Sequence, residues 1–426
     1  MISAIMLSFF LLLMLIGMPV SIAIMLATII GMLIGGYDLL AVPQFMAAAT
    51  KSPFLLAVPF FILAANLMNA LGITQRIFDF ATALAGRLRG GLAQVNVVAS
   101  MIFAGISGAA VADAAGLGTI EIKAMKDSGY SLDFAAAITL ASATIGPIIP
   151  PSVMMLIYAI LANVSPAAMF LAGILPGFLI GLILMITIYI QVTLGLQDCP
   201  PPVKFSLKRL IKTSKDGVLS LLAPFIILWG MVSGVVTPTE AGVLAVFYSL
   251  LLGCIYRSFN WKVVRKALLD TVKTSSLILY IIAVSSVLSW VMVNEGTAYD
   301  IAEWLGKITD NPMILLVIIN VFLLILGAIL ETLPAMLIAV PVLLPAIDAL
   351  GIDRVHFGII VIFNLLIGII TPPMGIGLYI LAAISGVRVD RLVIASIPYM
   401  ITLIIALIAI TYIPILTLYL PGHLLN

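Results

Sequence analysis

The 426-residue chain is short of almost everything that keeps a protein in water. Only 9% of its residues are charged, against roughly a quarter in soluble domains, and no stretch is polar enough to form a soluble domain. Histidine occurs twice, at His356 and His423, too far apart in sequence to indicate a metal centre. The two cysteines, Cys199 and Cys254, both stand beside Lys/Arg-rich segments, so free thiols are expected rather than a disulfide. No Lys or Arg precedes Lys51. The opening MISAIMLSFF therefore lacks the basic leader of a secretory signal, and the first apolar run is expected to be retained. With so few basic residues, no nucleic-acid partner is expected.

What the chain has instead is 63% hydrophobic residues. Apolar runs long enough to cross about 30 Å of hydrocarbon recur from end to end, which predicts an all-α polytopic membrane protein. Segments 2–17 and 20–34 are split by Gly17-Met18-Pro19, and 54–71 follows after a mildly polar connector. A long span covers 167–195, and residues 196–218 form a basic linker. Spans at 219–236 and 239–256 lead to a basic amphipathic connector (257–273), a span at 275–293, an acidic loop (294–312) and a closing span at 393–420.

Two stretches repeat each other. Gly105, Gly129, Gly146, Pro150, Pro151 and Pro176 each have a partner of the same type 222 positions later: Gly327, Gly351, Gly368, Pro372, Pro373 and Pro398. One fixed offset for six helix-breaking positions marks a duplicated unit. The first copy is expected over 1–195, with scaffold helices to 93 and a re-entrant hairpin plus broken helix over 94–162. The second is expected over 219–426, with scaffold and arm to 312 and its own hairpin and broken helix over 313–385. The linker 196–218 joins them.

Charge predicts how the copies face. Loops with Arg76, Arg87, Arg89, Lys123 and Lys126 in the first copy correspond to acidic loops in the second, and the basic loops of the second correspond to nearly uncharged ones in the first. Equivalent loops then lie on opposite sides, with 17 of the 20 Lys/Arg cytoplasmic. The repeats are expected to be inverted, with both termini periplasmic. The segments 196–218 and 257–273 are expected to be cytoplasmic arms attracted to anionic lipid.

TIGPIIPPS (144–152) and IGIITPPM (367–374) place Gly and two or more prolines inside apolar helices. Irregular chain at membrane depth survives only where it lines a protein-enclosed cavity. Unwinding is expected to free carbonyls from Thr144 to Ile149 and from Gly368 to Pro372, hard donors suited to a small cation such as Na⁺, while half-helix ends face anions. Upstream, SGAAVADAAGLG and LETLPA are expected to form hairpin tips. Three acidic residues fall within the apolar runs: Asp113, Glu240 and Glu331. Intramembrane acids default to a functional reading. A capping role is the alternative for Asp113 and the preferred reading for Glu240, which sits in a Thr-Pro-Thr-Glu turn. Glu331, at a hairpin tip, is read as a site residue.

At Gly17-Met18-Pro19, Val58-Pro59-Phe60-Phe61, Ser107-Gly108, Ala112-Asp113, Ile149-Pro150-Pro151-Ser152, Pro238-Thr239-Glu240-Ala241 and Thr371-Pro372-Pro373-Met374-Gly375, the sequence resembles the large membrane subunit of the tripartite ATP-independent periplasmic (TRAP) transporters. The resemblance covers essentially the whole chain. It implies Na⁺-driven uptake of an organic anion across a bacterial inner membrane, by an elevator motion of a transport domain against a scaffold. It also implies two partners, a separate four-helix membrane subunit and a periplasmic substrate-binding protein. Carried onto this chain, it implies one Na⁺ site at Ser107, Gly108, Gly146 and Ile148 and a second at Gly327, Gly368, Thr371 and Met374. Substrate is implied near Ser107, Ser152 and Glu331. Thr144 and the proline pairs Pro150-Pro151 and Pro372-Pro373 shape these sites.

No Lys or Arg occurs in the hairpin tips or in the Gly/Pro stretches of the broken helices, so hydroxyls, amides and helix dipoles must meet the substrate carboxylate, with Na⁺ as countercharge. A stand-alone Na⁺/carboxylate symporter and an anion channel are the alternatives. A hydrolase is excluded, because no Ser-His or Ser-Lys arrangement reaches the midplane segments.

Overall fold

The computed structural model describes residues 2–107, 110–197, 199–202, 206–309 and 311–425, apart from the side chains of residues 15, 105–107, 111, 112, 115, 298, 299, 302, 305 and 306. Among the described residues there are twenty α-helices and no strand. Eight helices among these residues are long and apolar enough to cross a membrane, counting one that a short 3₁₀ turn extends.

The chain opens with α1 (Ile2–Leu15) and α2 (Val20–Gly35), two packed helices separated at the expected Gly17-Met18-Pro19 break. Helices α3 (Ala41–Ala49), α4 (Ala57–Ala70) and α5 (Ile73–Ala85) follow. The first hairpin is α6 (Leu92–Ser107) with α7 (Ala110–Asp127); the first broken helix is α8 (Leu132–Ala143) with α9 (Val153–Ala162); α10 (Pro166–Thr193) is continuous. Then come α11 (Leu207–Val232), α12 (Pro238–Ile255), α13 (Trp261–Asn294) and α14 (Thr297–Ile308). The second hairpin is α15 (Pro312–Ile329) with α16 (Thr332–Ala349), and the second broken helix is α17 (Arg354–Gly368) with α18 (Ile376–Ser385). Helices α19 (Val389–Tyr412) and α20 (Ile415–Leu424) close the chain.

The repeat is visible in the helix boundaries. Ala110 and Thr332 open α7 and α16, and Leu132 and Arg354 open α8 and α17, each pair at the offset of 222 read from the sequence. The Pro150-Pro151 and Pro372-Pro373 peptide bonds, at the same offset, are both cis.

Several connectors are more helical than expected. The basic linker is helical from Leu207 and runs without interruption into the following span as α11, and the connector from Trp261 onward joins the span 275–293 in the single 34-residue helix α13. No Gly or Pro interrupts α13, and Lys, Arg and Leu propagate a helix well. The acidic loop 294–312 contains α14, where Glu303 and Lys307 pair one turn apart at 2.6 Å. The first connector contains α3, which lies on α13. The closing span is two helices, because Pro414 bars Ile413 from helical geometry and Ile413 sits at φ −120°, ψ 77°.

The first halves of the broken helices form the centre. Every residue from Phe134 to Ala143 in α8 and from His356 to Gly368 in α17 is buried. A helix that is apolar all round belongs in a core. The outside is equally apolar: Phe225, Trp229, Phe247 and Ile401 are more than half exposed, as a lipid-facing surface requires.

Candidate functional site

Each hairpin meets its own broken helix at a glycine. In the first copy, Asp113 lies in the first turn of α7, and its carboxylate packs against Gly146 so closely that a Cβ at Gly146 would overlap it. Asp113 is 2% exposed. In the second copy, Gly327 of α15 and Gly368 at the end of α17 meet main chain to main chain: a Cβ at Gly368 would overlap the carbonyl of Gly327. Beyond the break, the Met374 N–H donates to the carbonyl of Ala328 at 3.2 Å, which ties the unwound segment to the end of the hairpin arm.

The unwound segments keep more hydrogen bonds than the sequence led us to expect. The Ile145 carbonyl accepts from Ile148 and Ile149, the Gly368 carbonyl from Thr371, and the Thr371 carbonyl from Gly375. Isolated i→i+3 and i→i+4 turns replace the continuous helical ladder there. The carbonyls of Thr144, Gly146 and Pro147, and of Ile369, Ile370 and Pro372, accept no backbone hydrogen bond among the described residues. The Ile369 and Thr371 oxygens both lie 2.8 Å from where a Cβ on Gly375 would stand, so they converge on one glycine. The Ile148 carbonyl is turned toward Gly173 of α10.

The hydroxyls are already in use. Thr144 Oγ1 donates to the Ala141 carbonyl and Thr371 Oγ1 to the Ile367 carbonyl, each at 2.7 Å. Ser152 is buried and caps α9 by accepting from the Met155 N–H. Glu331 stands at the N-cap of α16, exposed, with no side-chain cap hydrogen bond. Helix α16 packs against α9, and α7 packs against α18, so each hairpin also touches the second half of the other copy's broken helix. Gly108 and the side chain of Ser107 lie outside the described residues.

Glu240 is where the turn sequence puts it. Its carboxylate accepts from the Thr237 N–H while the Thr237 hydroxyl accepts from the Glu240 N–H, a closed capping box at the start of α12. One acid escaped the sequence reading. Glu121, two turns beyond Asp113 on α7, is 1% exposed, and its Oε1 has no hydrogen-bond partner among the described residues. Its neighbours Lys123, Lys126 and Asp127 make that segment look solvated, which is why apolar-run length could not find it. Helical spacing could have, since Glu121 shares the face of Ala114, Gly118 and Met125.

Polar pairs lock each hairpin arm to its broken helix. Asn96 of α6 donates to Thr139 at 2.7 Å and accepts from Ser142 of α8 at 2.6 Å. At the position equivalent to Ser142, Asn364 of α17 donates to Asn320 of α15 at 2.7 Å. Buried amides and hydroxyls of this kind fix one register between helices that apolar contact would leave free to slide.

The chain matches a family model described as "Tripartite ATP-independent periplasmic transporter, DctM component" over residues 7–416. It is 40% identical to the sialic acid TRAP transporter large permease protein SiaM of Vibrio cholerae, over 86% of each chain. It is 36% identical to the C4-dicarboxylate TRAP transporter large permease protein DctM of Pseudomonas aeruginosa, over 87% of this chain and 86% of that one. Among solved structures, the Alcanivorax borkumensis YdaH transporter shares the fold at a TM-score of 0.59 and 17% identity, over 87% of each chain. With its spans, its repeated hairpins and broken helices, and this similarity over nearly its full length, the chain belongs to the DctM, or large permease, component of the TRAP transporters.

Proposed function

We propose that this chain is the transport subunit for Na⁺-coupled uptake of a small organic carboxylate across a bacterial inner membrane, with the two copies of its repeat inverted about the midplane. The observation that carries this reading is the paired contact of Asp113 with Gly146 and of Gly327 with Gly368. Each places a hairpin against a break in which carbonyls lack backbone donors. Unpartnered carbonyl oxygens in a protein-lined break are ligands for a small hard cation. In the first copy the Asp113 carboxylate stands beside Gly146 and adds charge. In the second the oxygens are main chain alone.

Glu331, exposed at the start of α16, faces the substrate in this reading. Ser107 and Ser152 keep the substrate role that the family resemblance implies, although the Ser152 hydroxyl already caps α9. The anion is held by helix N-termini and balanced by Na⁺, since no Lys or Arg stands at the hairpin tips or breaks. The hairpins and broken helices (94–162 and 313–385) move as the transport domain in an elevator motion, against a scaffold built from the remaining spans. The polar pairs Asn96–Ser142 and Asn320–Asn364 support that division, because they make hairpin arm and broken helix one body. Relatives named for sialic acid, C4-dicarboxylates and 2,3-diketo-L-gulonate share a carboxylate, which supports a carboxylate as substrate, while one named for isethionate carries a sulfonate. A small four-helix membrane subunit and a periplasmic binding protein complete the system.

The test is uptake of a panel of labelled carboxylates by cells that lack this chain and then regain it together with its small subunit and binding protein. Restored uptake of one carboxylate, dependent on Na⁺, is expected. Restoration without Na⁺ overturns the coupling.

A further inference from the structure

We propose that the seam between α11 and α12 holds one phospholipid with a zwitterionic headgroup carrying a primary ammonium. A cavity of about 610 Å³ opens where α5, the start of α11 and the end of α12 meet, lined by Arg76, Asp79, Lys215, Asp216 and Tyr256 among others. Two cations and two carboxylates therefore face one space. They are not paired with one another: the ion pairs among the described residues are Glu303–Lys307, Asp348–Arg354 and Arg388–Asp390. Arg76 is held in place, its guanidinium 3.9 Å above the ring of Tyr256 and donating to the Gly72 carbonyl.

Opposite charges kept apart around one cavity suit a ligand that carries both. A phosphate diester meets Arg76 and Lys215, and an ammonium meets Asp79 and Asp216. The carboxylates disfavour a purely anionic headgroup. A quaternary ammonium, which has no N–H, could not hydrogen-bond to them.

The same seam then turns apolar. Leu219 and Ile255 line the charged cavity, and one helical turn deeper Ala223 and Leu251 begin a groove that continues past Ile226, Ile227, Leu244 and Phe247. At 1.5 Å per residue the path from Asp216 to Ile227 is about 16 Å, half the ~30 Å hydrocarbon thickness, so it spans one leaflet. The groove encloses about 130 Å³. That admits a segment of an acyl chain but not a helix of about 10 Å diameter. Head pocket and chain groove follow one another along two helices in the order a lipid needs.

The test uses the full chain purified from membranes and incubated with phosphatidylethanolamine, phosphatidylglycerol or phosphatidylcholine, with native mass spectrometry counting retained lipid. One phosphatidylethanolamine is expected to survive detergent washing that strips the other two. Arg76→Gln with Lys215→Gln should cut retention by about tenfold, the equivalent of ~1.4 kcal/mol. Asp79→Asn with Asp216→Asn should erase the preference over phosphatidylglycerol. Leu244→Trp, on the exposed side of the groove, should displace the lipid without touching a charge, so the test survives if a polar variant misfolds. Equal retention of all three lipids, unchanged retention in the charge variants, or crosslinks showing a helix of the small subunit seated in the groove would overturn the proposal.

Discussion

Gly327 of the second hairpin and Gly368 at the end of α17 touch main chain to main chain, with no room between them for a side chain. The contact is asymmetric. A Cβ on Gly368 would overlap the Gly327 carbonyl, whereas one on Gly327 would stand 3.2 Å from Leu365 main-chain atoms, tight but within reach of a small shift. Gly368→Ala should therefore destabilise the purified protein by about 1–3 kcal/mol, as overpacking does, and Gly327→Ala by clearly less. Thermal unfolding followed by size-exclusion fluorescence checks the order. Equal effects would mean that the hairpin does not lie where the structure has it.

Gly146 and Asp113 make the corresponding contact in the first copy. Gly146→Ala should push the carboxylate aside and raise the Na⁺ concentration for half-maximal uptake by about tenfold, the loss of one charge-assisted ligand. Asp113→Asn, which keeps the shape and removes the charge, should give a similar shift without loss of folded protein. Na⁺ titration of uptake in the two variants checks this. Unchanged Na⁺ dependence in both would remove Asp113 from the ion site.

Thr371 behaves differently, because its hydroxyl is already donated to the Ile367 carbonyl. Thr371→Val should leave the Na⁺ dependence of uptake close to that of the parent and lower stability by about 1 kcal/mol, the size of one hydrogen bond. A large change in Na⁺ affinity would mean that the hydroxyl itself is a ligand.

Thr237 and Glu240 close the capping box of α12, a structural role. Thr237→Ala should lower stability by about 0.5–2 kcal/mol while the Na⁺ dependence and substrate preference of the folded fraction stay as they were. A change in either would bring Glu240 back into the mechanism.

Glu121 has Leu343 as its counterpart in the second copy, and Leu343 is also buried. A buried oxygen without a partner costs about 1–3 kcal/mol. Glu121→Leu should therefore raise the melting temperature. A fall would mean that the carboxyl has a stabilising partner, such as a bound proton donor or ion.

The repeat and the two breaks were legible in the sequence because Gly146-Pro147 with Pro150-Pro151, and Gly368 with Pro372-Pro373, cluster helix-breaking residues within one or two turns. The lone Pro176 and Pro398 do not break α10 and α19, which run through them. Helix continuity was less legible. The charges of 257–273 looked like a connector, yet a helix tolerates charge as long as no residue breaks it, and α13 runs straight through. The site was half legible. Gly327, Gly368 and Met374 do come together, but which carbonyls stay without a donor depends on turn geometry that residue types do not encode. Glu121 was hidden for a related reason, since its burial is decided by α6, α8 and α18 packing on α7 rather than by its sequence neighbours.

The central claim is that an inward Na⁺ gradient drives uptake through the paired breaks. Its most direct test is substrate uptake into proteoliposomes that contain this chain, its small subunit and the binding protein, with the external cation switched between Na⁺ and K⁺. Concentrative uptake with Na⁺ and none with K⁺, lost in Gly146→Leu and Gly368→Leu, is the predicted result. Uptake that merely equilibrates, at the same rate in either cation, would contradict it.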